Sequence, residues 1–155
     1  MKISHHTYLD GKGFWIKESY FEIVSHFITE AFKQYGLIDQ PSWFIDIYED
    51  FNDIAKGYKQ SYAYFHFKDN LKFIKDREDV LLDVLGLAIH QVNEEGEVVT
   101  KDRLNSIEEE NKDWGEDTRV LWIKDIKVSF ITNVIDILIR MLKHEWNQDI
   151  DIVWE

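Results

Sequence analysis

Apolar and acidic positions divide cleanly along the segment from Pro41 to Gly57. Its apolar residues recur at i, i+3, i+4, i+7 and i+11 and are Phe44, Ile47, Tyr48, Phe51 and Ala55. Its acidic residues have the same kind of spacing and are Asp46, Glu49, Asp50 and Asp53. A helix places the two sets on opposite sides. The pattern therefore predicts an amphipathic helix with a stripe of carboxylates, entered through Pro41 and closed by Gly57.

Four further segments have helical periodicity. Ser19 and Glu22 have the spacing of a capping box, and Gly36 suits the residue just after the end of that first helix. The remaining predicted helices are 80–88, a shorter one capped by Thr100 and running through Ile107, and a last one that Asp125 opens and that reaches Leu142. The last helix is apolar on most sides, which predicts a central position or a contact between two copies of the chain.

The polar run after the short helix, 108–113, is interpreted as a loop or a frayed helix end. One other segment leaves more than one structure open. From Tyr58 to Phe67 the spacing favours a helix, although Tyr62, Tyr64 and His66 alternate as in a strand.

Two segments predict a minor β element. Turn residues at 10–13 separate two short apolar runs at 7–9 and 14–16, which predicts a hairpin. The tail, 149–154, alternates as a strand and could pair with 120–123 or with the hairpin. The sequence thus predicts a mainly α fold over residues 1–155, a single-domain bundle of about five to six helices with an N-terminal hairpin and a C-terminal strand.

The charge balance narrows the class of partner. Among 155 residues, 30 are acidic and 18 are basic, which gives a net charge of -12. A macromolecular partner is therefore expected to be basic, and nucleic acid is not expected. The chain contains no cysteine, and its start has no apolar run of signal-peptide length, so we expect a cytoplasmic protein without a membrane span.

No motif predicts a catalytic site, a cofactor or a metal ion. Asp79, Asp83 and His90 lie close to one helical stripe and are the best candidates for a carboxylate and imidazole site. Metal ligands at i and i+4 of one helix need a further ligand from another part of the chain, and the sequence indicates none. His144-Glu145 begins like a zinc-protease motif, but Gln148 stands where the second histidine is required. His26 is placed on the polar face of the first helix.

Aromatic residues flank the acidic helix. Trp43, Tyr58, Tyr62 and Tyr64 could line a binding surface together with its carboxylates. In the alternative interpretation, the carboxylates form a solvated outer face and the aromatic side chains belong to the core.

Several features together resemble those of small acidic immunity proteins, which neutralise bacterial toxins such as those of contact-dependent inhibition systems. The residues that carry the resemblance are Tyr20-Phe21-Glu22, Ala31-Phe32, Pro41-Ser42-Trp43-Phe44 with the acidic helix, Leu104-Asn105-Ser106-Ile107 and Trp114. The resemblance implies a cytoplasmic inhibitor without catalysis that covers the active cleft of a basic toxin with carboxylates and aromatic side chains.

The sequence therefore predicts a binding protein rather than an enzyme. The predicted partner-binding residues are Asp46, Glu49, Asp50, Asp53, Trp43, Tyr58 and Tyr62. Two alternatives stay open: a small enzyme or a ligand- or metal-binding helical protein that uses Asp79, Asp83 and His90, and a homo-oligomer held by the last helix.

Overall fold

The computed structural model describes residues 3–9, 12–58 and 67–152. Helices dominate these residues, as predicted, and the bounds are α1 Glu18–Tyr35, α2 Ser42–Ala55, α3 Phe67–Leu71, α4 Lys75–Glu94, α5 Lys101–Asn111 and α6 Val128–Leu142. The strands are β1 Ile3–Leu9, β2 Lys12–Lys17, β3 Val98–Val99, β4 Ile126–Lys127 and β5 Ile150–Asp151. A single 3-10 turn, Glu116–Thr118, follows α5 in this part of the chain. The predicted fold class is confirmed.

The core is one continuous cluster in which α1 packs against α2 and α4, and α4 packs against α6. Helix α6 is central, as its sequence predicts, because Ile131, Val134, Ile135 and Leu138 are fully buried. All residues of α6 are described, and none of its apolar side chains is exposed. The helix therefore offers no free apolar face for a second copy of the chain.

The hairpin prediction is confirmed, and the C-terminal strand pairs with it. Strands β1 and β2 are antiparallel, and β5 joins the outer edge of β2 in parallel. Gly13 is required at the start of β2, because a Cβ there would lie 1.8 Å from the carbonyl oxygen of His6. Trp146 Nε1 donates to the carbonyl oxygen of Gly13 at 3.2 Å and fixes the approach of β5.

Helix ends agree with the predictions at some caps and differ at others. Thr100 accepts a hydrogen bond from the backbone N–H of Arg103, as an N-cap should. The predicted capping box is wrong, because Lys17 precedes α1 and Ser19 lies inside it. Asp125 does not open α6 either. Its carboxylate accepts a hydrogen bond from the backbone N–H of Lys101 and thereby satisfies a donor of α5.

Two other predictions concern conformation along the chain. Residues 108–111 are helical rather than a loop, since α5 continues to Asn111 and buries Glu108. Residues 112 and 113 belong to the turn that follows. The prediction for 58–67 falls mostly on 59–66, which lie outside the described residues. In the described part of the chain, no helix is both long and apolar enough to cross a membrane.

Candidate protein-binding surface

The acidic side of α2 is less uniform than its sequence suggests. Asp46 and Glu49 are exposed and Asp53 is half-buried. Asp50 is only 5% exposed and lies within the fold. The surface of α2 therefore offers the carboxylates of Asp46 and Glu49, with Asp53 at its C-terminal end, and excludes Asp50.

Trp43 is engaged within the molecule. It is half-buried, and the guanidinium of Arg77 lies over its ring, 5.3 Å from the centroid. An arginine in this position is attracted by the electron-rich face of the indole. The Trp43 ring is thus occupied by a cation of the same chain, whereas Tyr62 lies outside the described residues.

Tyr58 and Trp114 form an exposed aromatic pair just beyond the C-terminal end of α2. Their ring centroids are 5.4 Å apart, and their exposed fractions are 53% and 48%. Trp114 Nε1 donates to the carbonyl oxygen of Lys56 at 3.0 Å, which holds the indole against the turn that ends α2. The exposed carboxylates next to Trp114 in sequence are Asp113, Glu116 and Asp117. We refer to Tyr58, Trp114, Asp113, Glu116 and Asp117 as the Tyr58–Trp114 patch.

A buried ion cluster lies behind this patch and is centred on Lys112. Lys112 Nζ is 2.9 Å from Glu22 Oε1 of α1 and 2.8 Å from Glu108 Oε2 of α5. Its ammonium also donates to the carbonyl oxygen of Thr118 at 3.3 Å. Glu108 accepts two more hydrogen bonds, from Trp122 Nε1 and from the backbone N–H of Val120, each at 3.2 Å. The cluster thereby ties α1, α5 and the 112–122 segment together.

Charge and burial oppose each other in this cluster. Burial raises the pKa of Glu22 to about 7, although the nearby ammonium of Lys112 acts in the opposite direction. For Lys112, burial lowers the pKa, but the carboxylates of Glu22 and Glu108 outweigh it and the net shift is upward. Lys112 therefore stays charged, and it holds carboxylates from two helices in place.

The backbone near Gly57 permits this arrangement. Gly57 has a φ of 73°, in the left-handed region that favours glycine. Lys112 passes directly beneath it, and Arg119 Nε donates to the carbonyl oxygen of Lys112 at 3.2 Å. The segment from Lys112 to Arg119, which carries Trp114, is thus held in place by contacts of both the side chain and the carbonyl oxygen of Lys112. Sequence reasoning missed Lys112, although its i, i+4 spacing from Glu108 was a usable signal.

His26 is also placed differently from its prediction. It is 3% exposed, not on a polar surface, and burial lowers its pKa. One of its ring nitrogens, Nδ1, is 3.0 Å from Asn111 Nδ2 at the end of α5. This contact gives α5 a second polar connection to α1, besides the ion pair of Lys112 with Glu22.

A second polar cluster joins the hairpin to α4 and to the end of α6. The hydroxyl of Tyr8 donates to Glu78 Oε2 at 2.7 Å, and His144 Nε2 is 2.8 Å from the same oxygen. The backbone N–H of Phe73 donates to the Tyr8 hydroxyl at 3.3 Å. Burial and the hydrogen bond to Glu78 raise the pKa of Tyr8. Phe73, which contacts Tyr8, and His144, which contacts Glu78, both have positive φ. Two turns with left-handed residues therefore meet at this cluster.

The enzyme alternative gains no assembled site from Asp79, Asp83 and His90. Asp79 pairs with Lys75 at 3.1 Å, and the exposed His90 pairs with Glu94 at 3.1 Å along the same helix. Within residues 3–9, 12–58 and 67–152, no group of three His, Asp or Glu side chains is arranged to hold a metal ion.

The Tyr58–Trp114 patch has the chemistry to bind cationic side chains. Exposed aromatic faces attract guanidinium and ammonium groups, and neighbouring carboxylates pair with them. Comparisons of this chain with protein-family models, with curated proteins and with solved structures found no match.

Proposed function

We propose that this chain is a non-catalytic protein that binds a basic protein partner, and that the partner is a bacterial toxin which it inhibits in the cytoplasm. The observation that carries the proposal is the Tyr58–Trp114 patch, in which an exposed aromatic pair is followed and preceded along the chain by exposed carboxylates within three residues of Trp114. Aromatic residues dominate the binding energy of protein interfaces when their partners exclude water from them. The net charge of -12 supports the choice of a basic partner.

Rigidity of the patch favours a binding role. The indole of Trp114 is already hydrogen-bonded to Lys56, and the buried Lys112 lies two residues before it. A side chain that is held in its bound position loses little conformational entropy on association. The carboxylates of Asp46 and Glu49 extend the acidic surface along α2 and would accelerate encounter with a basic partner.

The decisive experiment is co-expression of the chain with the product of the adjacent upstream gene. We expect the two proteins to co-purify and the chain to relieve growth inhibition by that product. Substitution Trp114→Ala should weaken the complex by about tenfold or more, as truncation of an aromatic hot spot does.

Trp15→Ala is the matched control, because Trp15 is 40% exposed and stacks on His5 in the hairpin, away from the patch. It should leave affinity unchanged. Absence of both complex and toxicity, or equal losses for Trp114→Ala and Trp15→Ala, would reject this function.

A further inference from the structure

The segment from Arg119 to Ile123 has one free backbone edge. On the side of α5, the side-chain amide of Asn105 donates to the carbonyl oxygen of Trp122 at 3.0 Å and accepts from its N–H at 2.9 Å. The N–H of Val120 donates to Glu108 on the same side. Alternate residues of an extended chain direct their backbone groups to opposite edges. Leu121 and Ile123 therefore direct theirs away from α5, and within the described chain these groups have no hydrogen-bond partner.

The side chains alternate in the same way. Trp122 is buried, whereas Leu121 is 79% exposed and Ile123 is 74% exposed. Exposed apolar side chains on an unpaired strand edge are a feature that most proteins avoid, because such an edge can take up another strand. This segment therefore has the alternation of a strand that lacks one neighbour, although it belongs to no sheet.

The charge around the segment indicates what the missing neighbour is. No acidic residue lies between Thr118 and Lys124, although acidic residues outnumber basic ones in the chain as a whole. Arg119 and Lys124 stand at the two ends. Lys17 and Lys124 line a cavity of about 330 Å³ beside the segment, together with one carboxylate, that of Asp125, which accepts a hydrogen bond from the backbone N–H of Lys101. A strand with carboxylates would meet opposite charge here. The same segment of a second copy would instead bring the positive charges of Arg119 and Lys124 close to like charges.

We propose that Leu121 and Ile123 form a docking edge for an extended segment of another protein in which acidic and apolar residues alternate. The segment adds as a strand, exchanges backbone hydrogen bonds with Leu121 and Ile123, and lays its carboxylates near Lys17 and Lys124. The molecule already holds a strand of this composition, since β5 and its neighbours, 149–152, alternate Asp and Ile beside β2. This docking edge is independent of the Tyr58–Trp114 patch.

A synthetic peptide, acetyl-Glu-Ile-Asp-Val-Glu-Ile-Asp-amide, provides the test, with a second peptide that has Lys at every acidic position as its control. We expect the acidic peptide to shift the backbone amide signals of Leu121 and Ile123 in NMR titrations and to slow their hydrogen exchange. It should bind about five- to tenfold more tightly than the Lys peptide, as a pair of favourable cross-strand charge contacts implies.

Substitutions test whether the acidic peptide binds at this edge. The double substitution Leu121→Asp and Ile123→Asp should abolish binding without unfolding the protein, because both side chains are largely exposed. Ile38→Asp is the matched control, since Ile38 is 89% exposed between α1 and α2, and it should bind as the unmodified protein does. Trp114→Ala should also leave peptide binding unchanged, which separates this test from that of the proposed function.

Three results would overturn the proposal. The acidic peptide could bind no better than the Lys peptide, or the double Asp variant could bind it normally. A dimer seen by sedimentation without peptide, and lost in the double Asp variant, would assign the edge to a second copy of the chain instead.

Discussion

Gly57 lies directly over the aliphatic chain of Lys112, and a Cβ built on Gly57 would stand 3.1 Å from Lys112 Cε. The turn that ends α2 and the cation that organises the end of α5 are therefore packed against each other. Any side chain at position 57 requires the buried lysine to shift by a few tenths of an ångström. This contact links the position of Tyr58 to that of Trp114.

Gly57→Ala should destabilise the protein by about 1–2 kcal/mol, because alanine adopts left-handed φ at a cost and its Cβ crowds Lys112. Urea unfolding measures the change. Gly86→Ala is the matched control, since Gly86 lies within α4 and a Cβ there meets nothing within 4 Å. It should stabilise the protein by about 0.5–1 kcal/mol. Equal effects of the two substitutions would contradict the Gly57 contact.

Lys112→Met should destabilise the protein more than a variant in which Glu22 and Glu108 are neutralised as well. It leaves the carboxylates of Glu22 and Glu108 in a buried site without their cation, which costs about 3–5 kcal/mol when one partner of a buried pair is removed. The triple variant Lys112→Met, Glu22→Gln and Glu108→Gln removes the repulsion and should recover part of the loss. If the triple variant were no more stable than Lys112→Met alone, repulsion would not be the cause.

Two buried groups should give the stability opposite dependences on pH. The pKa of His6 is lowered from 6.5 to about 3, chiefly by burial and then by the charge of His5, so its contribution is full above pH 6.5 and is lost as the pH falls. The pKa of Glu22 is raised from 4.5 to about 7, so its contribution is full below pH 4.5 and is lost as the pH rises. Between pH 4.5 and 6.5 the two slopes oppose each other.

Single substitutions separate the slopes of these two groups. Glu22→Gln should make the free energy of unfolding fall more steeply on acidification, and His6→Leu should make it fall less, each by up to about 1.4 kcal/mol per pH unit. Unfolding curves at several pH values measure this, and only the slopes are compared. Parallel slopes for the unmodified protein and both variants would refute the prediction.

Tyr8→Phe should destabilise the protein by about 1–3 kcal/mol, because the buried Glu78 loses a donor and the N–H of Phe73 loses its acceptor. Thermal unfolding of the variant measures the loss. Tyr35→Phe serves as the control, since Tyr35 is 37% exposed at the end of α1, and it should be nearly neutral. A Tyr8→Phe variant as stable as the control would show that the Tyr8 hydroxyl contributes little.

Asp46, Glu49 and Asp53 should act on the rate of partner association. Neutralising them together to Asn and Gln should slow association about tenfold at low salt and have little effect at high salt, because steering charges are screened. Asp50 is left unchanged because it is buried. Stopped-flow or biosensor kinetics measure the rate, with Asp83→Asn, Asp102→Asn and Glu97→Gln at exposed positions outside α2 as the charge-matched control. An equal effect of the control would argue against steering by α2.

Local pattern predicted most of the architecture. The period of the apolar residues identified α2, α4 and α6, and the turn residues before Gly13 identified the hairpin, because these signals act between near neighbours in sequence. Glu22 shows where such reasoning fails. Three residues after Ser19 it suggested a cap, but its carboxylate pairs with Lys112, 90 positions away. A contact that long is not encoded in spacing.

The candidate surface was predicted in part for the same reason. Tyr58 follows α2 and was recognised from sequence. Its ring contact with Trp114 could not be, because that contact depends on how α5 crosses α1. Asp50 has the same helical phase as its exposed neighbours, and only tertiary packing buries it. The predicted role of these residues in binding a partner stays a prediction.

The pairing of β5 with β2 also bears on how the chain folds. The hydrogen bond from Trp146 to Gly13 joins residues 133 positions apart, so closing it confines nearly all of the intervening chain. Because closing so long a loop costs entropy before other contacts compensate it, we expect this contact to form after helices such as α4 and α6 have met. In that order the last strand completes a sheet on a molecule whose core already exists, and its docking would report on the final step of folding.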